Sequence, residues 1–361
     1  MLTTTVNYEQ GHELNSLWLL TQASVKTQCL VLSLELGLFD ALKSATLCET
    51  LASTLNLNKG KLALILDALW SLGLLIKHLP TTDNINNAPK YQLNSLSERY
   101  FCTESNTYCG DSFRFRSQSL QHFANGMLVL VQPIEANELN QNNIDKPLTN
   151  SGEQSWAKAA SVQLLQEQHA QVKQTAEKIV LALPEFTQAR TLLDLGSGPG
   201  IVAKHLASLN PLLSVTLFDL PASIEVAKKQ FSSAERQRTY FLSGDFFADD
   251  IGCGYDIIWC SSVLYFAAEQ LGLLAKLYKA LNPGGVLISL HVELSENAQT
   301  LQQSYFYYLP LLMRGLKVPK QGEINTLLKQ AGFVAIEQQQ IMSMMMTPML
   351  CHIARKSKSN V

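Results

Sequence analysis

Residues 192–200, LLDLGSGPG, restrict the fold of this 361-residue chain more than any other stretch. Two leucines lead into Asp194, Gly196, Gly198 and Gly200 alternate with other residues, and the helical pattern IVAKHLASL begins at Ile201. Strand, glycine turn, helix is the opening unit of an open parallel sheet. Beyond it, SVTLFDL, YFLSGDF, YDIIWCSS and GGVLISLHV alternate with helical stretches. That order predicts an α/β fold, a mostly parallel sheet with helices on both faces.

The glycine spacing narrows the ligand. A dinucleotide fingerprint needs glycine at the first, third and sixth positions, and counting from Gly196 the sixth is Ile201. The pyrophosphate reading weakens, and a ligand without phosphate, S-adenosylmethionine, suits the turn better. Asp219 ends the next apolar strand, where a carboxylate can accept from two ribose hydroxyls. Asp245 and Phe246, in GDFF, end a third strand and offer an acceptor for an adenine amino group beside a ring that packs on the base. Acids at the carboxyl ends of successive strands fall where open parallel sheets bind ligands.

Composition sets the rest of the frame. With 47% hydrophobic and 16% charged residues the chain can bury two ordinary cores. The polar stretch QNNIDKPLTNSGEQ, residues 141–154, predicts a boundary between domains at 1–150 and 151–361. In the first, TLCETLASTLNLNKGKLALILDALWSLGLL reads as two helices joined by a turn, with Thr46 and Glu49 as a capping box and Asn58 capping the second helix. A helix-turn-helix raises DNA binding, but a net charge of −2 and four lysines without an arginine between residues 40 and 77 argue against nucleic acid. A structural winged helix is expected instead. Leucine-rich helices around residues 19–42 and 62–75 carry more apolar surface than one small domain covers, which predicts a homodimer. Seven scattered cysteines without a CxxC pair predict free thiols in a cytoplasmic protein. No signal peptide, membrane span or acidic metal cluster is expected.

LLDLGSGPG, FDLP, GDFF, YDIIWCSSVLYF and LNPGGVLI together resemble the class I S-adenosylmethionine-dependent methyltransferases, more narrowly the small-molecule O-methyltransferases of the hydroxyindole and caffeate type with their bacterial natural-product members. LELGLFDAL, LALILDALWSLGLL and KYQLNSLSERYF are similar, in order, to that family's N-terminal winged-helix dimerisation domain. The resemblance implies a Rossmann-like methyltransferase domain and a cofactor surrounded by Gly196, Ser197, Gly198, Asp219, Leu220, Asp245, Phe246, Cys260 and Ser261. It also implies an aromatic or heteroaromatic small-molecule substrate.

The catalytic positions depart from that pattern. Where the family places a general-base histidine this chain has Tyr265, followed by Phe266 and Ala267, and where it places a lysine, Ser261. One family glutamate falls near Leu290, with His291 and Glu293 close by, and the other near Val318. Candidates for the missing base are His291, His169 and His122, while Tyr265, whose hydroxyl titrates near ~10, is expected to orient rather than deprotonate. Positioning does much of the work of methyl transfer. The absent histidine therefore predicts an acceptor hydroxyl acidic enough to need little help, of the kind carried by heteroaromatic pigment or antibiotic precursors. The alternative is a homologue that binds S-adenosylmethionine without methylating, a hydroxylase, decarboxylase or cyclase.

Overall fold

In the computed structural model, residues 12–80, 88–132 and 152–358 are described. They belong to two compact units, Met1–Ser117 and Gln118–Val361. That division falls before the boundary expected at 141–154, a stretch lying mostly outside the described residues.

In the first unit, helices Ala23–Glu35, Cys48–Thr54, Lys59–Ser71 and Ser95–Phe101 accompany a small antiparallel sheet of β1 (Thr46–Leu47), β2 (Leu75–His78) and β3 (Lys90–Leu93), in the order β1-β3-β2. Leu38, Phe39, Leu42, Leu66 and Leu69 pack its core with Tyr91. This is the expected winged helix. Asn58 caps its helix as predicted, its side chain accepting from the Lys61 N–H at 3.0 Å. The capping box does not form. Thr46 pairs with Tyr91 in the sheet and its hydroxyl donates to the Ser44 carbonyl, so strand pairing takes the residue that local propensity assigned to the helix. Glu49 forms an ion pair with Lys59 instead. On the preceding helix, Asn15–Thr21, Leu17, Trp18, Leu19 and Leu20 are each more than half exposed.

The second unit holds β4 (Thr191–Leu195), β5 (Ser214–Asp219), β6 (Thr239–Ser243), β7 (Tyr255–Ser261), β8 (Leu281–His291), β9 (Val334–Ile341) and β10 (Met349–Arg355) in one sheet, ordered β6-β5-β4-β7-β8-β10-β9. The pairs from β6 to β8 are parallel, and β10 runs antiparallel to both neighbours. Successive strand residues point to opposite faces. Leu192, Val215, Leu217, Ile257 and Trp259 join one apolar cluster with the helices Lys173–Leu181, Ile201–Leu209 and Pro221–Lys228. Leu193, Leu195, Ile258, Cys260 and Leu287 join another with Gln270–Ala280 and Glu323–Gln330. Burial on both faces explains why these strands read as near-continuous apolar runs. Chain order reverses between β5 and β7 on either side of β4, and a crevice opens at such a point outside the carboxyl ends of the strands. The helical run leading into β4 is interrupted by two π-helical turns, Ala160–Leu164 and Gln168–Val172. Among the described residues no helix is long and apolar enough to cross a membrane.

Candidate functional site

The glycine loop leaves β4 with Gly196, Gly198 and Gly200 all at positive φ. At two of them the chain's own packing adds a second requirement. A Cβ on Gly196 would lie 2.6 Å from Val263, and one on Gly200 2.2 Å from Leu217. The spacing that suggested backbone close to a ligand thus also serves to bring the loop down onto the strands beside it.

Below the loop lie two acids. Asp219, half-buried at the end of β5, accepts from the Gly198 N–H at 2.7 Å and from the Leu220 N–H at 2.7 Å. Burial raises its carboxyl above the ordinary range, and the Gly198, Leu220 and Ser223 bonds work against that rise. Asp194 is sealed from solvent, and burial, reinforced by the neighbouring Asp219, pushes its carboxyl up to about 7. One Asp194 oxygen (Oδ2) and the buried Ser197 hydroxyl have no hydrogen-bond partner within the chain. Two acids in low dielectric, with an Asp194 oxygen and the Ser197 hydroxyl left unpartnered, suit a cationic ligand. The helix behind the loop does not suit a pyrophosphate. Gln168 Oε1 accepts from the Ile201 N–H at 2.9 Å and the Val202 N–H at 3.4 Å, and the Ala203 N–H bonds Asp194, so the chain itself occupies the donors a phosphate would use.

Asp245 is exposed just past β6, its carboxylate accepting from the Phe247 N–H at 2.8 Å, with Phe246 half-buried beside it and its ring 4.7 Å from that of Phe247. Lys276 donates to the Phe246 carbonyl at 2.8 Å and holds this turn. Ser261 is half-buried at the end of β7. The Cys260 thiol is enclosed among Leu193, Leu195 and Phe218, and burial, with Asp194 nearby, drives it well above the ordinary thiol range. Its side chain is therefore withdrawn into the core, leaving only its main chain at the strand end.

The candidate bases are placed differently from the expectation. His291 is completely buried; its Nε2 accepts from the Val263 and Leu264 N–H groups, each at 3.1 Å, and its Nδ1 lies 3.0 Å from the Ser289 hydroxyl. Burial, with His352 nearby, holds the imidazole down at about 3. A neutral ring with both nitrogens engaged is a structural histidine, which corrects its candidacy as a base. Tyr265 is buried as well. Its hydroxyl accepts from the Val292 N–H and donates to the Val292 carbonyl at 3.5 Å, and its ring stands edge-to-face with His291 and Tyr308. The expected orienting hydroxyl is thus spent on a peptide group. His169 is half-buried on the second π-turn, with Nδ1 3.4 Å from Lys173 Nζ, and burial lowers its affinity for a proton. An ammonium donating to Nδ1 places the ring proton on Nε2 and leaves no free basic nitrogen. His122 is exposed on the helix Gly110–Leu130. The structure therefore brings Tyr265 and His291 together and leaves His169 and His122 on other elements.

Gln168 was not singled out in the sequence. It is one of several polar residues in QLLQEQHAQ, and the phase change introduced by the π-turns carries no residue-type signal.

Comparison with known proteins places the chain in a family. An O-methyltransferase domain matches residues 151–334 and an O-methyltransferase dimerisation domain residues 18–103. Acetylserotonin O-methyltransferase of Gallus gallus is 34% identical over 158 residues, 43% of this chain and 44% of that protein. Demethylspheroidene O-methyltransferase of Rhodobacter capsulatus is 31% identical over 181 residues, 48% of this chain and 45% of that one. The matched stretches thus span less than half the length of these relatives. Human N-acetylserotonin methyltransferase, solved in complex with S-adenosylmethionine, superposes with a TM-score of 0.75 at 21% identity, covering 98% of this chain and 100% of that one. The chain belongs to the O-methyltransferase family, enzymes whose methyl donor is S-adenosylmethionine.

Proposed function

We propose that this chain methylates an acidic hydroxyl on an aromatic or heteroaromatic natural product, working by position rather than by a protein base. The observation that carries the reading is that Tyr265 and His291, at and beside the family's base position, both have their polar atoms engaged within the chain, Tyr265 by the Val292 peptide and His291 by the Val263 and Leu264 N–H groups and the Ser289 hydroxyl. Asp219 would hold the ribose, Asp245 and Phe246 the adenine, and the glycine loop with Gly196, Ser197, Gly198 and Leu220 the remainder of the cofactor, with Ser261 and the Cys260 main chain at the adjacent strand end. When bound, the cofactor supplies a methyl group already activated by its sulfonium. The chain's residues then have three tasks: to exclude water, to complement positive charge with Asp194 and Asp219, and to fix the acceptor oxygen in line with the methyl. The acetylserotonin relatives, named for a hydroxylated indole, support a flat heteroaromatic acceptor. Incubation with methyl-labelled S-adenosylmethionine and a panel of hydroxylated heteroaromatics of graded acidity tests the reading. Transfer is expected to favour the more acidic members. Binding of the cofactor with no transfer to any member would instead indicate a non-methylating homologue, which the spent Tyr265 and His291 also fit.

The exposed Leu17, Trp18, Leu19 and Leu20 and the dimerisation domain support a homodimer, for which light scattering at micromolar concentration should give twice the chain mass. Seven free thiols fit a cytoplasmic location.

A further inference from the structure

The side chain of Gln168 makes a two-sided connection that the cofactor reading does not explain. Its carbonyl oxygen accepts from the Ile201 N–H at 2.9 Å, behind the glycine loop, while its amide nitrogen donates to the Ser197 carbonyl at 3.2 Å, within the loop. An amide can do both at once, since it carries an acceptor and a donor on one planar carbon. The neighbouring backbone is arranged to deliver it. Leu164 closes the first π-turn, Gln168 opens the second, and these two side chains are what a Cβ on Gly198 would meet, at 3.3 and 3.7 Å. Such turns are uncommon and recur at functional sites.

We propose that Gln168 is a positioning residue that sets the shape of residues 196–201 so that they receive the amino-acid end of S-adenosylmethionine. The inference rests on the cofactor reading above. With the ribose at Asp219 and the adenine at Asp245, the loop that Gln168 grips is left to the amino-acid end. The Ser197 hydroxyl, buried and unpartnered within the chain, lies in the gripped segment and supplies a polar atom for that end. Gln168 itself bonds neither Asp219 nor Asp245, and the link from its loop to the ribose carboxylate is the Gly198 N–H to Asp219, so its loss should weaken the amino-acid contacts far more than the nucleoside contacts.

Two variants separate this from a general structural role. Gln168→Met keeps the length and removes all three hydrogen bonds, to Ser197, Ile201 and Val202; Gln168→Glu keeps the acceptor and replaces the donor by an oxygen that repels the Ser197 carbonyl. Calorimetry should compare S-adenosylhomocysteine with 5′-methylthioadenosine, which shares the adenosine end and lacks the amino-acid end. Each variant is expected to lose about tenfold or more in affinity for S-adenosylhomocysteine and less than about twofold for methylthioadenosine. If Gln168→Met does not fold, Gln168→Glu carries the same readout. Equal losses on both ligands, or no loss on either, overturn the proposal while the cofactor reading stands. Failure of the unmodified chain to bind either compound overturns both.

Discussion

Asp194 and Ser197 at the end of β4, and Tyr265 and His291 at the ends of β7 and β8, are all buried polar side chains, yet the chain treats the two pairs in opposite ways. At the first, Asp194 and Ser197 keep polar atoms that nothing in the chain satisfies, and the Asp194 carboxyl rises to about 7. At the second, Tyr265 bonds the Val292 peptide, and His291 bonds the Val263 and Leu264 N–H groups and the Ser289 hydroxyl. A buried polar atom without a partner costs stability unless something else completes it, so the first region is arranged for a ligand. The Tyr265–His291 pair is tied into the chain's own bonds, whereas Glu293 Oε1 and the His352 ring nitrogens beside it have no hydrogen-bond partner.

The largest test of the contrast is at the glycine loop. Gly200→Ala puts a side chain at φ 75° and a Cβ 2.2 Å from Leu217. Left-handed strain and overpacking together should cost about 3 kcal/mol, lowering the melting temperature by roughly 10 °C. A variant that melts as the unmodified chain does would show the loop to be more pliable than its packing indicates.

Acid separates the two regions next. His291, at about 3, binds its proton more weakly than the unfolded residue at ordinary 6.5. Its contribution is complete above about pH 6.5 and is lost as pH falls toward 3. Asp194, at about 7 against an ordinary 3.8, has the reverse sign: its contribution is complete below about 3.8 and is lost as pH rises through 7. Between pH 7 and 5 each amounts to about 2 kcal/mol, in opposite directions. His352, held down at about 4 by burial, adds to the histidine side, while Asp219 and Glu293, both raised by burial, add to the carboxyl side. Urea unfolding at the two pH values should therefore show Asp194→Asn losing about 2 kcal/mol more than the parent on acidification, and His291→Gln about 2 kcal/mol less. Shifts of the same sign in both variants would contradict the contrast.

Ligand affinity gives a smaller effect. Asp219→Ala removes the carboxylate proposed to hold the ribose, where each hydrogen bond to a charged carboxylate would be worth roughly 1.5 to 3 kcal/mol. Calorimetry should show S-adenosylmethionine binding weakened at least about tenfold, in a chain whose circular dichroism is unchanged. Unchanged affinity would place the ribose elsewhere. The smallest effect is expected at Tyr265. With its hydroxyl on the Val292 peptide, Tyr265→Phe should cost about 1 kcal/mol of stability and less than about tenfold in turnover. A hundredfold loss of turnover would make that hydroxyl chemical.

Features fixed by spacing along one strand and its turn were readable from the chain alone. Asp194, Gly196, Asp219 and Asp245 take their places from the strands they end, and the strand pattern was clear. Residues whose role depends on a distant partner were not. His291 looked available because its two acceptor bonds come from residues 263 and 264, some 27 positions away, and Thr46 looked like a cap because Tyr91 was out of view. Gln168 was invisible for a third reason: the π-turns alter which side of the helix it occupies, and helical periodicity assumes a regular phase.

The placement of β10 bears on when the sheet can be completed. This strand follows all the others in chain order, yet it lies inside the sheet, between β8 and β9, with His352 directly opposite Ser289. While the chain is being synthesised, β8 must wait as an open edge until some sixty further residues have emerged, and an open apolar edge invites pairing with other chains. The nascent protein can therefore assemble β4 to β7 early and close the β8 side only late, so the glycine loop has its strands in place before the wall that holds Tyr265 and His291 is finished.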